Sequence, residues 1–271
     1  MTLPETFPKI TTIMAVYNMA DTVQRAIDSV IAQEYPNKEL IIIEGASSDN
    51  TVDIIRNNGQ YIDYWESVSE SERGIYKQWN KALLHVSGEW INFLGADDYF
   101  PAKDVMSRMH PHLVDNNGVR LIYGQIALVR SNGSLIEYSG RSWEASRPQM
   151  YKSMPIPHPA TFHHRSLFVI HGQFNETFRI AGDYEFLLRE LKDGKAQFIP
   201  NVIVRNMTFG GMSTSWNHDI TRLLENARAR KLNSLPAYTW PWLKMFVRKF
   251  IRHMLFCIIG ENRVKKILRF L

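Results

Sequence analysis

The sequence predicts an α/β fold built on a mixed, mostly parallel sheet flanked by helices. Short β-branched apolar runs alternate with segments of helical period from residue 10 to about 115, and the loops leaving those runs collect polar and acidic residues. Beyond that point a hairpin signal, Ser131-Asn132-Gly133 between two apolar runs, predicts antiparallel strands.

Taken in order, residues 10–16 (ITTIMAV) read as a strand closed by Tyr17-Asn18. Val23, Ala26, Ile27, Val30 and Ile31 then repeat at helical spacing over 21–34, with Asp21 as the expected N-cap. ELIII (39–43) reads as a fully buried strand, followed by the turn EGASSDNT and a helical pattern over 52–55. A weaker strand over 62–68, a helix over 75–86 and a strand over 90–94 ending in GADD complete the alternation. Such a series implies parallel strands joined by right-handed crossovers. The second half reads as the hairpin 121–129 and 134–138, a Pro-rich loop (MPIPHPATF), a helix over 183–191, a strand over 198–204 and a helix over 217–231. No internal repeat or low-complexity stretch interrupts it.

Bulk composition narrows the class. A hydrophobic fraction of 45% with 22% charged residues describes a chain that buries a sizeable core. The single cysteine, Cys257, excludes an internal disulfide framework and fits a reducing compartment. MTLPETFPKI lacks the basic start and apolar run of a signal peptide, and the late apolar run 254–259 is far shorter than the roughly 20 residues of a membrane span. These point to a cytoplasmic protein. The net charge of +5 is uneven: residues 222–271 hold 12 Lys and Arg against Glu225 and Glu261, which leaves the body at −5. An acidic body disfavours nucleic acid as its partner, whereas a basic tail suggests an anionic surface.

The ends of parallel strands are where ligands bind in α/β sheets. Here they carry Tyr17-Asn18, Glu44-Gly45 with Asp49, and Asp97-Asp98. Like charges on one rim repel unless a cation joins them, and a hard divalent ion takes carboxylate and phosphate oxygens. A turn or helix cap is the plainer account of Asp-Asp after a strand. Rossmann, P-loop, zinc and serine-hydrolase signatures are absent.

At this point the residues carry a resemblance. ITTIMAVYNMADTVQRAIDSVIAQEYPNKELIIIEGASSDNTVDII resembles the opening of family 2 glycosyltransferases, and ESERGIYKQWNKALLHVSGEWINFLGADDYF resembles the block ending in their Asp-x-Asp-type metal motif. HPATFHHRSLF and RIAGDYEFLLREL are similar to the later blocks, over residues 9 to about 215 in all. The resemblance implies a GT-A fold, a nucleotide-sugar donor (usually uridine-linked), Mn²⁺ or Mg²⁺, and inversion at the anomeric carbon. Carried across, Ala15, Tyr17 and Glu44 would line the base pocket, Asp97 would face ribose and metal, Asp98 would be the direct metal ligand and Asp183 the general base. Two positions depart from the pattern: Glu44 stands where Asp is usual, and Lys77 where the motif is acidic. Arg73, just before Gly74, is the diphosphate candidate; Lys77 either approaches the diphosphate or points to solvent.

Other residues admit two readings. His158 either belongs to the active site or makes a structural hydrogen bond, and Trp216 is a candidate lid residue. His218 is a metal-ligand candidate or a surface histidine, and Trp79 is expected in the core. Glu185, about 200° around the helix from Asp183, points elsewhere. The expected organisation is one GT-A domain over 1–235, with a donor half (9–115) and an acceptor half (116–235), and a basic amphipathic tail over 236–271. In that tail Leu243, Phe246, Val247, Phe250, Ile251, Met254 and Ile258 form a helical stripe opposite Lys244, Arg248, Lys249 and Arg252, and Val264, Ile267, Leu268 and Leu271 continue it. That is the composition of an interfacial membrane helix, or of a helix docked on the protein itself or on a second subunit. The resemblance and the tail together imply transfer of one sugar to a saccharide or lipid-linked acceptor, of polysaccharide or lipopolysaccharide type, at the inner face of the cell membrane. A sugar nucleotidyltransferase would need a Gly-rich cationic loop after the first strand, which AVYNMADT lacks; a degenerate membrane-bound scaffold is the non-enzymatic alternative. A processive synthase would need spanning helices and a Q-x-x-R-W motif.

Overall fold

The computed structural model describes residues 7–210 and 219–259. Trp216, His218 and the stripe beyond Ile259 lie outside the described residues.

Four strands, β1 (Ile10–Val16), β2 (Lys38–Glu44), β3 (Tyr64–Ser67) and β4 (Trp90–Gly95), are parallel in the order β3-β2-β1-β4. Between them run α1 (Val23–Ile31), α2 (Thr51–Asn57) and α3 (Ile75–Leu83), the crossovers that parallel pairing requires. Beyond β4 come α4 (Val105–Val114) and β5 (Leu121–Val129), which pairs antiparallel with β6 (Leu135–Ser139) across the expected Asn-Gly turn, Gly133 at φ +80°. Then β7 (Thr161–His164) inserts antiparallel between β4 and β5, and the long β8 (Gln197–Thr208) pairs parallel with β5. Eight strands thus make one mixed sheet.

Strand alternation sorts the core into two layers. Ile10, Met14, Ile42, Trp90 and Leu94 face α1, α2 and α4, while Ile13, Ile41, Ile43, Ile91 and Phe93 face α3 and the helices of the second half. On that second face lie the short α5 (Trp143–Ser146), α6 (Ser166–His171) and α7 (Gly182–Leu191). Next in the chain, α8 (Asp219–Leu232) packs on α7 and α9 (Trp240–Ile259) on α8.

Several local expectations are corrected. Thr22, not Asp21, precedes the first turn of α1, and no side chain caps it. The strand expected over 62–68 shortens to Tyr64–Ser67, because Gly59–Tyr61 winds into a 3₁₀ turn. α4, α6 and β7 had no sequence assignment. β7 is four residues long and has no alternation to read, and α4 contains Pro111.

Candidate active site

The parallel strands end on one rim, and polar side chains finish them. Gln78 of α3 donates from Nε2 to the carbonyls of Val16 (3.2 Å) and Ile43 (2.9 Å), tying the ends of β1 and β2 together. Beside it Ala15 pairs in register with Ile43 and Gly95. Tyr17 is exposed, and the Arg73 guanidinium stands 4.3 Å from the centre of its ring. Asn18, at φ +50°, accepts from the Ser48 amide at 2.9 Å and donates its own amide to Ser47 Oγ at 2.8 Å. Lys77 turns away, donating to the Ser71 carbonyl at 2.8 Å.

Glu44, at the end of β2, is held within its own loop. Its extra methylene lets the carboxylate curl into its own loop, accepting from the amides of Ala46 (3.1 Å) and Ser47 (2.6 Å) and from Ser67 Oγ. At 0% exposure, what Glu44 offers the rim is the shape of that loop. Asp49 is likewise engaged, by the amides of Ala20 and Thr51 at 3.1 Å each. The four rim carboxylates therefore do not gather: among the described residues no cluster of three or more His, Cys, Asp or Glu converges for a metal.

Asp97 and Asp98 do converge. A Cβ placed on Gly95 would lie 2.9 Å from Asp97 Oδ1 and 3.0 Å from Asp98 Oδ2, so both carboxylates fold back over the glycine that ends β4. β8 fixes them there. The Thr208 amide donates to Asp98 Oδ1 at 2.9 Å, while Thr208 Oγ1 and Arg25 Nη2 donate to the Asp97 carbonyl at 2.6 and 2.8 Å. Burial pushes both carboxyls up, Asp98 to about 7 with the Asp97 charge adding to it. A buried and a half-buried carboxylate with few donors are a donor set that a hard cation would satisfy, the rest of its shell falling to phosphate oxygens and water. The pair fits Mg²⁺ or Mn²⁺.

Below the pair lies a cation the sequence did not announce. Arg205, fully buried on β8, donates to Asn92 Oδ1 and to the Pro159 carbonyl (3.2 Å) and stacks on Phe100 at 4.0 Å. Burial lowers it to about 9.

Asp183 lies in the first turn of α7, on a cavity that Met207 of β8 also lines. Its Oδ1 accepts from the Tyr184 amide (2.8 Å) and from Tyr76 OH (3.3 Å). Proximity to the helix N-terminus predicts a lowered pKa; the structure reverses that, because burial outweighs the amide and hydroxyl donors and raises Asp183 to about 6. Gly182 makes the placement feasible: a Cβ there would meet the Tyr76 ring at 2.7 Å. Glu185 points away as expected, ion-paired with Arg189.

A cavity of about 700 Å³ opens in front of Asp183, walled by Tyr184, His158, Met207, Leu223 and Trp242. His158 packs against both Trp79 (5.2 Å) and Phe93 (5.3 Å), and burial holds it well below the ordinary histidine range, hence neutral. Its Nε2 has no hydrogen-bond partner among the described residues. Trp79 is core, as expected.

A family model for glycosyl transferase family 2 matches residues 11–177. The chain belongs to that family. Its rim, Asp97-Asp98 and β7 lie inside the matched span; Asp183 and the helices around the cavity lie beyond it. The chain is 25% identical over 214 residues to a PGL/p-HBAD biosynthesis glycosyltransferase of Mycobacterium tuberculosis, covering 77% of this chain and 80% of that one. Its fold is that of the GT-A glycosyltransferases. S. aureus TarS 1-349, solved with UDP-GlcNAc, superposes with a TM-score of 0.66 at 18% identity, covering 95% of this chain and 77% of TarS. Mannosyltransferase PcManGT of Pyrobaculum calidifontis, solved with GDP-Man and Mn²⁺, gives 0.64 at 18% identity, covering 98% and 80%. Membership of the family makes the chain a glycosyltransferase that works with a nucleotide-sugar donor.

Proposed function

We propose that the chain is a divalent-metal-dependent, inverting transferase that moves one sugar from a uridine diphosphate sugar to a hydroxyl of a lipid-linked polysaccharide or lipopolysaccharide intermediate. The observation that carries this reading is that β8 serves two carboxylate sites through adjacent residues: the Thr208 amide holds Asp98 at the strand rim, and Met207 walls the cavity onto which Asp183 opens.

The base rests on Tyr17 beside Ala15, in the loop that Glu44 shapes. Asp97 faces ribose and metal, Asp98 holds the metal, and Arg73 leaves the Tyr17 ring to meet the diphosphate. A bound Mg²⁺ or Mn²⁺ supplies charge neutralisation for the departing diphosphate. Asp183 accepts the proton of the attacking hydroxyl, a contribution of about 10²–10⁴ in rate. A carboxylate at about 6 suits that task better than one at its ordinary value, since it is ionised at neutral pH and a stronger base. Neutral His158, buried against Trp79 and Phe93, backs the wall of the acceptor cavity, and residues 116–235 shape the acceptor side.

α9 supports association with an anionic membrane at the inner face of the cell. Trp242, Met245, Phe246 and Lys249 face α8, whereas Leu243, Val247, Phe250, Ile251 and Met254 form an outer stripe that is exposed. Trp240 and Tyr238 are exposed at its start, and Lys244 and Arg248 lie beside it. No helix among the described residues is long and apolar enough to cross a membrane.

Calorimetry with uridine, guanosine and thymidine diphosphate sugars, with and without Mn²⁺, tests the donor and metal together. Asp98 is 6% exposed rather than a free rim carboxylate, so Asp98→Asn, which keeps the acceptor for the Thr208 amide, is the sound variant. Wild-type protein should bind a uridine diphosphate sugar more tightly with Mn²⁺, and Asp98→Asn should lose that enhancement. Equal affinity in the variant with and without Mn²⁺, together with a clear Mn²⁺ enhancement in the wild type, is the predicted pattern; an enhancement that survives in Asp98→Asn contradicts the metal assignment.

A further inference from the structure

The turn that delivers Asp183 is held by an anion from another helix. The amides of Arg179, Ile180 and Ala181 all donate to the Glu225 carboxylate of α8, each at 2.9 Å, the first to Oε1 and the other two to Oε2. Glu225 is 8% exposed. A carboxylate leaves water at small cost only when donors replace its hydration shell, and successive amides turned towards one point form such an anion nest. α7 has no side-chain cap of its own at Ala181, so Glu225 takes that place from a distance of 44 residues along the chain. Two residues after Ala181 comes Asp183, pressed on its other side by the Tyr76 ring against Gly182.

α8 has a second engagement. Arg222, Leu223 and Asn226 line the cavity in front of Asp183, so the helix that grips the turn is also a wall of the acceptor space.

We propose that Glu225 is a positioning residue for the transfer, gripping the turn 179–181 so that the Asp183 carboxylate faces the cavity. This rests on Asp183 being the base. The Glu225 charge works in the same direction, adding to burial in making the Asp183 carboxyl a weaker acid. The other titratable or charged groups around Asp183 and its cavity are Tyr184 of α7, Tyr76 of α3, Tyr151 and Lys152, His158 before β7, Arg222 and Arg230 of α8, and Lys249 of α9. Glu225 is the carboxylate of that set.

The full chain is tested as Glu225→Gln and Glu225→Asp, with Asp183→Asn as reference. The carboxyl ¹³C shift of Asp183, assigned by its absence in Asp183→Asn, is followed against pH without any substrate. Release of UDP from a uridine diphosphate sugar with Mn²⁺, and UDP affinity, are measured alongside. In Glu225→Gln the neutral side chain removes the charge and turns an amide towards the three donors. The Asp183 midpoint should fall, since a like charge is removed, and turnover should fall by about tenfold or more, with UDP affinity unchanged. Glu225→Asp keeps the charge but falls a methylene short, so its midpoint should stay nearer the wild type while turnover still drops. A folded Glu225→Gln with wild-type midpoint and turnover overturns the proposal. Should the Gln variant not fold, wild-type turnover in Glu225→Asp overturns it equally. Near wild-type turnover in Asp183→Asn would instead remove the base on which the proposal rests.

Discussion

Asp183 shows how a single residue carries opposed demands. Its carboxyl is raised from 3.8 to about 6 by burial, so the folded protein binds a proton there more tightly than the unfolded chain does. Stability from this group is therefore fully present below about pH 4 and is lost as pH rises through about 6, each tenfold difference in proton affinity being worth about 1.4 kcal/mol. Asp183→Asn should consequently melt at or above the wild-type temperature at pH 7.5, read by calorimetry. Turnover follows the opposite course. It should rise with pH through about 6 as the base ionises, a limb absent from the residual activity of Asp183→Asn. Gly182 is the other residue on which the site depends. Gly182→Ala forces a methyl into the Tyr76 ring, an overpacking of about 1–3 kcal/mol. A lowered melting temperature together with reduced turnover is expected; wild-type values for both would show that the turn relaxes freely.

Among the elements, α9 docks on α8 through one face and leaves the neighbouring face exposed. Trp242 is 8% exposed, donates from Nε1 to the Leu223 carbonyl at 3.2 Å and stacks on Phe246 at 5.2 Å, while Lys249 reaches Asp219 at 2.9 Å. Phe246 thus leaves the stripe that periodicity assigned it to, and Lys249 leaves the cationic side. One register serves docking, a neighbouring one remains exposed. Deleting the whole tail would strip a wall from the cavity, so substitution on the outer stripe separates the two roles. Val247→Ser with Phe250→Ser and Met254→Ser should release the protein from anionic vesicles in sedimentation while leaving the melting temperature within a few degrees. Trp242→Ala should do the reverse, lowering stability by up to about 3–5 kcal/mol. Vesicle binding unchanged in the triple variant would tell against the membrane role of the stripe.

For the molecule as a whole, the sequence made the first half legible and the second half only in fragments. β1, β2 and β4 are apolar runs because both faces of a central parallel strand are buried, and their shortness and β-branched content mark them as strands. β7 is short and α6 brief, and neither contains enough turns or alternations to produce a period. Asp97-Asp98 stands out only in company: alone a turn or cap accounts for the pair, and the acidic residues ending neighbouring strands, with the family resemblance, point to a cation. Arg205 and Glu225 were not readable, since a lone charge in a strand or helix pattern reads as solvated until its partners are known. Those partners, Asn92 and Pro159 for Arg205 and three backbone amides for Glu225, come from distant sequence. The same distance explains why the cavity in front of Asp183 escaped the sequence: its walls come from segments either side of α7 and from α8 and α9, which only the fold assembles.

The account stands on Asp183, rather than its neighbour Glu185, accepting the proton of the attacking hydroxyl. Turnover of the donor is the measurement that addresses this most directly, compared between Asp183→Asn and Glu185→Gln with nucleotide affinity followed in parallel. Asp183→Asn should lose roughly 10²-fold or more with nucleotide affinity unchanged. Glu185→Gln, altering only a partner of Arg189 and Asn233, should keep substantial activity. Near wild-type turnover in Asp183→Asn, or a dead Glu185→Gln beside an active Asp183→Asn, would contradict it.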